Sequence, residues 1–324
     1  MRYKHLKHIF LTVFLLMLAV LPGCGSRNKE DLKNELAYRQ LGITKMEEGD
    51  YEEAVKMFQK ALDQSLAVID DLEIDICYYK AASQYKAGDA DGALETYTAL
   101  IDYDGKNADA LYLRGTLYLE LNQSEKAMAD YEKALKEDKN HIALYNKIAE
   151  RLIAAEMAEE AGTILNRGLK VSTDKAADYR EKGYTYYLLE QYDSARTYLD
   201  KAINMGDTEA VFYLAKMLEA QGDTKQADQL YESYVSRHSE DTETLNSLGC
   251  SKMEEGNYAQ ALTFFQTALK NENPANEQEL RRNEIAALEY LLDFDQARDK
   301  MKAYLKDYPE DEEAAREYEF LKSR

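Results

Sequence analysis

The chain has 324 residues, and its 41 basic against 61 acidic side chains give a net charge of −20. No basic stripe is available to displace counterions from phosphates, which excludes nucleic acid as a partner class. A single globular core would be near its upper size limit at this length, so the chain calls for an architecture in which each part contacts only its neighbours.

The chain starts with a basic stretch, Arg2, Lys4 and Lys7, followed by an apolar run of thirteen residues from Ile9 to Leu21 and then by Leu21-Pro22-Gly23-Cys24. Thirteen residues are too few for an ordinary membrane-spanning helix. The arrangement is similar to a bacterial lipoprotein signal peptide, residues 1–23, which is cleaved in front of the cysteine. That resemblance implies that Cys24 receives diacylglycerol, with Gly23 as the small residue that lets the peptidase approach the backbone. Two acyl chains, at about 0.8 kcal/mol per buried methylene, anchor a protein stably. Removing the three basic residues of the leader takes the net charge from −20 to −23. Residues 24–34 then form the lipidated cysteine and a short polar tether. The expected location is extracytoplasmic, on the outer face of the cytoplasmic membrane. In a Gram-negative cell Gly25, in place of a retaining Asp, favours the outer membrane; the sequence leaves the Gram type open.

From Glu35 onward one pattern returns about every 34 residues. The early copy holds Leu41-Gly42, Gly49, Tyr51, Ala54, Phe58 and Ala61-Leu62, and a late copy holds Leu248-Gly249, Gly256, Tyr258, Ala261, Phe265 and Ala268-Leu269. Between them lie Gly115, Tyr118, Ala127, Tyr131 and Ala134-Leu135, then Gly183, Tyr186, Tyr192, Ala195 and Ala202-Ile203. Apolar and small residues at i, i+3, i+4 and i+7, broken by a polar or Gly-containing turn, predict two amphipathic helices per copy. The Gly and Ala positions fall where the helices of a hairpin cross, because a larger side chain there would hold the axes apart.

These residues resemble the tetratricopeptide repeat. The resemblance implies an all-α fold, a right-handed α-solenoid of about eight helical hairpins over residues 35–311, with repeats starting near 35, 74, 108, 142, 176, 208, 242 and 278. About five extra residues precede the second copy and two precede the eighth, and the proline that ends repeats in the family stands only at Pro309, with Pro274 one place late. Residues 312–324 form one more helix, expected to cover the apolar face of the last hairpin.

Several residues that suggest chemistry find no partners. Cys77 and Cys250 fall in first helices of distant repeats, too far apart for a disulfide, and read as packing cysteines. His141 and His238 lie in turns between different repeats and cannot share a metal. Asp102-Tyr103-Asp104-Gly105 lacks the end ligands of a calcium loop, since Leu100 and Leu111 stand there. Glu47-Glu48 and Glu254-Glu255 recur at one repeat position and read as solvated helix ends. No phosphate cradle, nucleophile elbow or metalloprotease helix is present. Neither a cofactor nor a metal is expected, and the chain reads as a non-enzyme.

In the family the concave face is lined by set positions of the first helices. Carried onto this sequence they are Tyr78, Tyr85, Tyr112, Asn146, Arg180, Tyr184, Tyr187, Phe212, Asn246, Arg282 and Tyr290. Rings supply apolar area at low entropy cost while amides and guanidinium groups bond a main chain, which suits a peptide; packing between helices is the competing role for each Tyr. A carboxylate clamp of the chaperone-binding kind is not supported, because Arg39 and Ile43 occupy its positions in the first repeat. The expected function is a membrane-tethered scaffold or adaptor that binds a protein or peptide, basic or apolar, in an envelope assembly. A regulatory subunit of an envelope enzyme system, such as a wall hydrolase, and a self-assembling spacer are the alternatives.

Overall fold

The computed structural model describes residues 29–65, 69–172, 174–237, 239–272, 274, 276–322 and 324. Cys24, the leader and His238 lie outside them. The described residues hold seventeen α-helices and no strand, divided between two compact units, Met1–Ser172 and Thr173–Arg324.

The first unit contains four hairpins: α1 (Lys29–Glu47) with α2 (Tyr51–Leu62), α3 (Asp71–Lys86) with α4 (Ala90–Tyr103), α5 (Ala108–Glu120) with α6 (Ser124–Glu137), and α7 (Ile142–Ala154) with α8 (Ala158–Gly168). The second contains four more and a final helix: α9 (Ala176–Leu188) with α10 (Tyr192–Asn204), α11 (Ala210–Ala220) with α12 (Thr224–Arg237), α13 (Thr242–Glu254) with α14 (Tyr258–Ala268), α15 (Glu277–Tyr290) with α16 (Phe294–Asp307), and α17 (Glu312–Leu321). Within the units second helices also pack on the helix that opens the next repeat: α2 on α3, α4 on α5, α6 on α7, α10 on α11, α14 on α15 and α16 on α17. The fold class is therefore the expected one, helical hairpins of the α-solenoid kind. Two starts are earlier than the spacing suggests. Residues 29–34, read as tether, are the first turns of α1, and α3 opens at Asp71 because Asp70 and Glu73 form a reciprocal capping box.

All eight hairpin turns are closed by the same backbone device. A residue with positive φ follows the first helix: Gly49, Gly88, Asn122, Glu156, Glu190, Gly222, Gly256 and Leu292. Its N–H bonds the carbonyl three residues back, and the next N–H bonds the carbonyl five back, as in Gly49 to Met46 at 3.0 Å and Asp50 to Lys45 at 2.9 Å. This is the Schellman motif, which satisfies carbonyls at the helix end and turns the chain sharply. An aspartate side chain then caps several of the helices that follow, Asp50 accepting from the Glu53 N–H and Asp293 from the Gln296 N–H. Each such cap stabilises by about 1 kcal/mol.

The turn places a small residue seven positions before it against a large one nine positions after it. A Cβ added to Gly42 would sit 2.6 Å from the Phe58 ring, on Gly115 2.9 Å from the Tyr131 ring, on Gly183 2.6 Å from Leu199, and on Gly249 2.3 Å from the Phe265 ring. Phe58, Tyr131, Leu199 and Phe265 are completely buried in these crossings, each large side chain contributing about 2 kcal/mol of transfer free energy. At the chain end α17 buries Ala314 and Leu321 against Ile285, Leu288, Met301 and Tyr304.

Candidate binding surface on the first helices

In the first unit the expected surface residues come from α3, α5 and α7, and their polar ends are held by the neighbouring repeat. The Tyr78 hydroxyl donates to Asn107 Oδ1 at 2.8 Å, while Asn107 also caps α5 by accepting the Ala110 N–H. Burial pushes the Tyr78 phenol up to about 12. The Tyr85 hydroxyl donates to Glu120 and is raised by that bond, and Arg151 donates to the Tyr112 hydroxyl. Tyr78 and Tyr112 remain half-buried and Tyr85 is exposed, so each keeps ring surface open to solvent. Asn146 is 2% exposed.

In the second unit the aromatic residues make contact mainly with one another. The Tyr184 ring lies 5.7 Å from Tyr187 and 4.6 Å from Tyr213, and Tyr187 continues to Tyr192 at 6.4 Å. Phe212 lies 5.6 to 5.8 Å from Tyr213, Tyr231 and Tyr234. Such stacked, tilted and edge-on ring pairs contribute about 0.5–1.5 kcal/mol beyond their buried area. Arg180 is occupied by an acidic trio: Asp207 at 3.0 Å, Glu209 at 2.5 Å and Glu181 at 3.4 Å. Asn246 accepts from Asn283 at 2.9 Å. Arg282 pairs with Glu317 of α17 at 2.8 Å. Tyr290 is the most open member, 60% exposed, with its ring stacked on Tyr258 at 4.6 Å.

Two charged clusters lie outside this set, one around Arg114 and one around Lys252. Arg114 clasps Asp130 with two parallel bonds of 2.7 and 2.8 Å and reaches Thr98 at 3.0 Å. Lys252 has no exposed side-chain surface; its ammonium donates to Glu219 and Glu255, each at 2.6 Å, and lies 4.7 Å from the Tyr231 ring centroid. Glu219 also accepts from the Tyr231 hydroxyl at 3.0 Å and from Asn257 at 2.8 Å, and Lys216 reaches Glu255 at 3.2 Å. The two lysines balance the two glutamates, so the cluster is neutral and structural. Glu255 is nonetheless exposed at its helix end, as read from the sequence, and so is Glu48 at the same place in the first repeat, where it pairs with Lys45. A signal for Arg114 was present, since Arg114 and Asp130 stand one residue before the Gly115 and Tyr131 crossing pair.

Arg39 bonds Asp75 at 2.6 Å and lies 5.2 Å from the Tyr79 ring. Cys77 and Cys250 are free half-buried thiols raised by burial. His141 pairs with Asp138 at 2.8 Å, and Asp104 accepts the Lys106 N–H in an inter-repeat turn. Among the described residues no group of three or more metal-ligating side chains converges, and no helix is long and apolar enough to cross a membrane.

Small residues seated under large ones, eight identical turns and stacked hairpins define a repeat protein of the α-solenoid class. Tetratricopeptide repeats are present among them: family models so described match residues 37–66, 79–142, 179–205 and 209–241. A TPR repeat-containing protein of Methanocaldococcus jannaschii is 22% identical over 278 residues, covering 80% of this chain and 41% of that protein. DnaJ homolog subfamily C member 7 of Mus musculus is 32% identical over 127 residues, 36% of this chain and 24% of that protein. The chain thus spans less than half the length of either relative. The solved structure of a tetratricopeptide repeat protein from Parabacteroides merdae aligns with 79% of this chain and 99% of its own at 19% identity, with a TM-score of 0.42. Proteins built from these repeats generally act by binding other proteins.

Proposed function

We propose that this chain is a lipid-anchored, extracytoplasmic scaffold that holds a protein or peptide segment against the first helices of its repeats, in an assembly of the bacterial envelope. The observation that carries the binding part is the row Tyr78, Tyr85 and Tyr112, whose hydroxyls are fixed by Asn107, Glu120 and Arg151 while ring surface stays open. Side chains already fixed before binding lose little entropy on it, which is how a modest surface gains affinity. The anchoring part is supported by the basic start, the thirteen-residue apolar run and the Gly23-Cys24 junction.

Each part has its own test. Cells fed a clickable palmitate analogue should label the chain and lose the label in Cys24→Ser; an unlabelled wild-type chain would remove the anchor. Photo-crosslinking capture with the mature chain should recover a defined partner that Tyr85→Ala/Tyr112→Ala no longer holds, at unchanged helical content. No partner, together with turnover of a wall or lipid substrate, would replace the scaffold by a component of an enzyme system.

A further inference from the structure

On the second-helix side of the first unit lies a cleft of about 560 Å³ whose charge runs against that of the whole chain. It is lined by Glu132, Lys133, Leu135 and Lys136 of α6, Lys139 of the following turn, Tyr145 of α7 and Arg167 of α8. Four cations and one carboxylate give the lining a charge of +3 in a chain of −20. Arg167 is pinned by Glu132 at 2.6 Å, a bond between adjacent repeats that raises its pKa, and lies 6.0 Å from the Tyr145 ring centroid. Tyr145 and Leu135 are buried and form an apolar floor, and the Tyr145 hydroxyl donates to the Lys139 carbonyl at 3.0 Å. Lys133, Lys136 and Lys139 are exposed, and their ammonium groups enter no ion pair with the described residues.

We propose that this cleft is a second docking site and that it takes an extended acidic peptide segment of a partner protein. Lys133 and Lys136 stand three residues apart on α6, about 4.5 Å along its axis, and Lys139 follows in the turn after it. They form a row rather than a convergent nest, so the complementary ligand is a row of separate carboxylates and not one phosphate. In an extended chain every second side chain faces the same way, about 6.6 Å apart, within reach of flexible lysine stems. The floor of Tyr145 and Leu135 suits an apolar residue placed between the acidic ones, and the volume falls within the roughly 300–1,000 Å³ of ordinary ligand clefts. This site is separate from the tyrosine row of α3 and α5 and depends on neither that row nor the lipid anchor.

The test is fluorescence anisotropy on the full chain with a labelled ten-residue peptide of alternating Glu and Leu. Binding should weaken steeply with added salt and fall at least tenfold in Lys133→Glu/Lys136→Glu/Lys139→Glu. The control Lys106→Glu/Lys225→Glu/Lys302→Glu, three exposed lysines elsewhere with the same change in net charge, should bind as the wild type does. No binding, equal loss in both triple variants, or full competition by millimolar inorganic phosphate or by phosphatidylglycerol vesicles would overturn the proposal. So would a dimer in sedimentation velocity that only the first triple variant abolishes, since the occupant would then be a second copy. Circular dichroism of each variant separates loss of fold from loss of binding.

Discussion

Lys252 and Glu219 meet at 2.6 Å across the junction of the sixth and seventh hairpins, the lysine side chain with no exposed surface. The contact joins α13 to α11, and Tyr231, Asn257 and Glu255 complete its bonds. Removing one member of a buried pair leaves the other charge uncompensated and costs about 3 kcal/mol. Lys252→Met should therefore lower the denaturant midpoint strongly, and Lys252→Met/Glu219→Gln should recover part of the loss. A double variant whose loss equals the sum of its single variants would show that the pair does not couple the two hairpins.

Gly249 sets the spacing of α13 and α14. A methyl group there would press into the Phe265 ring, which the surrounding core holds in place. Overpacking costs about 1–3 kcal/mol, against less than about 1 kcal/mol gained from helix propensity. Gly249→Ala is expected to destabilise by about 1–2 kcal/mol. Gly162, inside α8, has nothing near its would-be Cβ, and Gly162→Ala should stabilise by about 0.5–1 kcal/mol. Thermal melts of the two variants should move in opposite directions; a shared direction would show that the contact at Phe265 relaxes freely.

The crossings were legible in the sequence because hairpin geometry fixes their spacing: Gly42 with Phe58 and Gly249 with Phe265 stand sixteen residues apart. The charged contacts were not. Arg180 and Arg282 could be placed on a helix face, but their partners Asp207, Glu209 and Glu317 lie a repeat or so away with no local pattern to connect them. Lys252 and Glu255 repeat the residue types of Lys45 and Glu48, yet Lys45 is partly open and Lys252 is closed in, since Glu219 and Tyr231 belong to a preceding hairpin that the first repeat lacks among the described residues. The aromatic stripe was visible as a stripe; that Tyr184, Tyr187 and Phe212 spend their faces on other rings depends on Tyr213, Tyr231 and Tyr234.

Leu292 holds the left-handed turn of the last hairpin with φ 60° and 72% exposure. Four of the other hairpin turns place glycine there. An L-residue in this conformation costs about 1–2 kcal/mol, more than the roughly 0.5–1 kcal/mol of chain entropy that glycine gives up. Leu292→Gly should then raise stability by about 0.5–1 kcal/mol, read from the urea midpoint. A fall of that size instead would mean that the leucine side chain makes contacts worth more than the strain.

The docking of α17 should depend on pH. Glu289 of α15 has a buried Oε1 without a hydrogen-bond partner, and burial, followed by the charge of Glu317, pushes its pKa up to about 7; Arg282, which pairs with Glu317, opposes this. A carboxyl group whose folded pKa lies above its unfolded value binds more protons when folded. Its contribution is complete below about pH 4.5 and is lost as the pH rises through about 7. Glu73 in the first unit, also pushed up to about 7 by burial, acts in the same direction. Between pH 5 and pH 8 the melting temperature should fall, with the exchange protection factors of α17, taken relative to the intrinsic rate at each pH, falling at the higher pH. Glu289→Gln should remove that loss of protection while leaving the share of the melting-temperature change due to Glu73, which Glu73→Gln removes separately. If the protection factors of α17 proved independent of pH in the wild type, or kept their dependence in Glu289→Gln, the carboxyl pair would not control the cap.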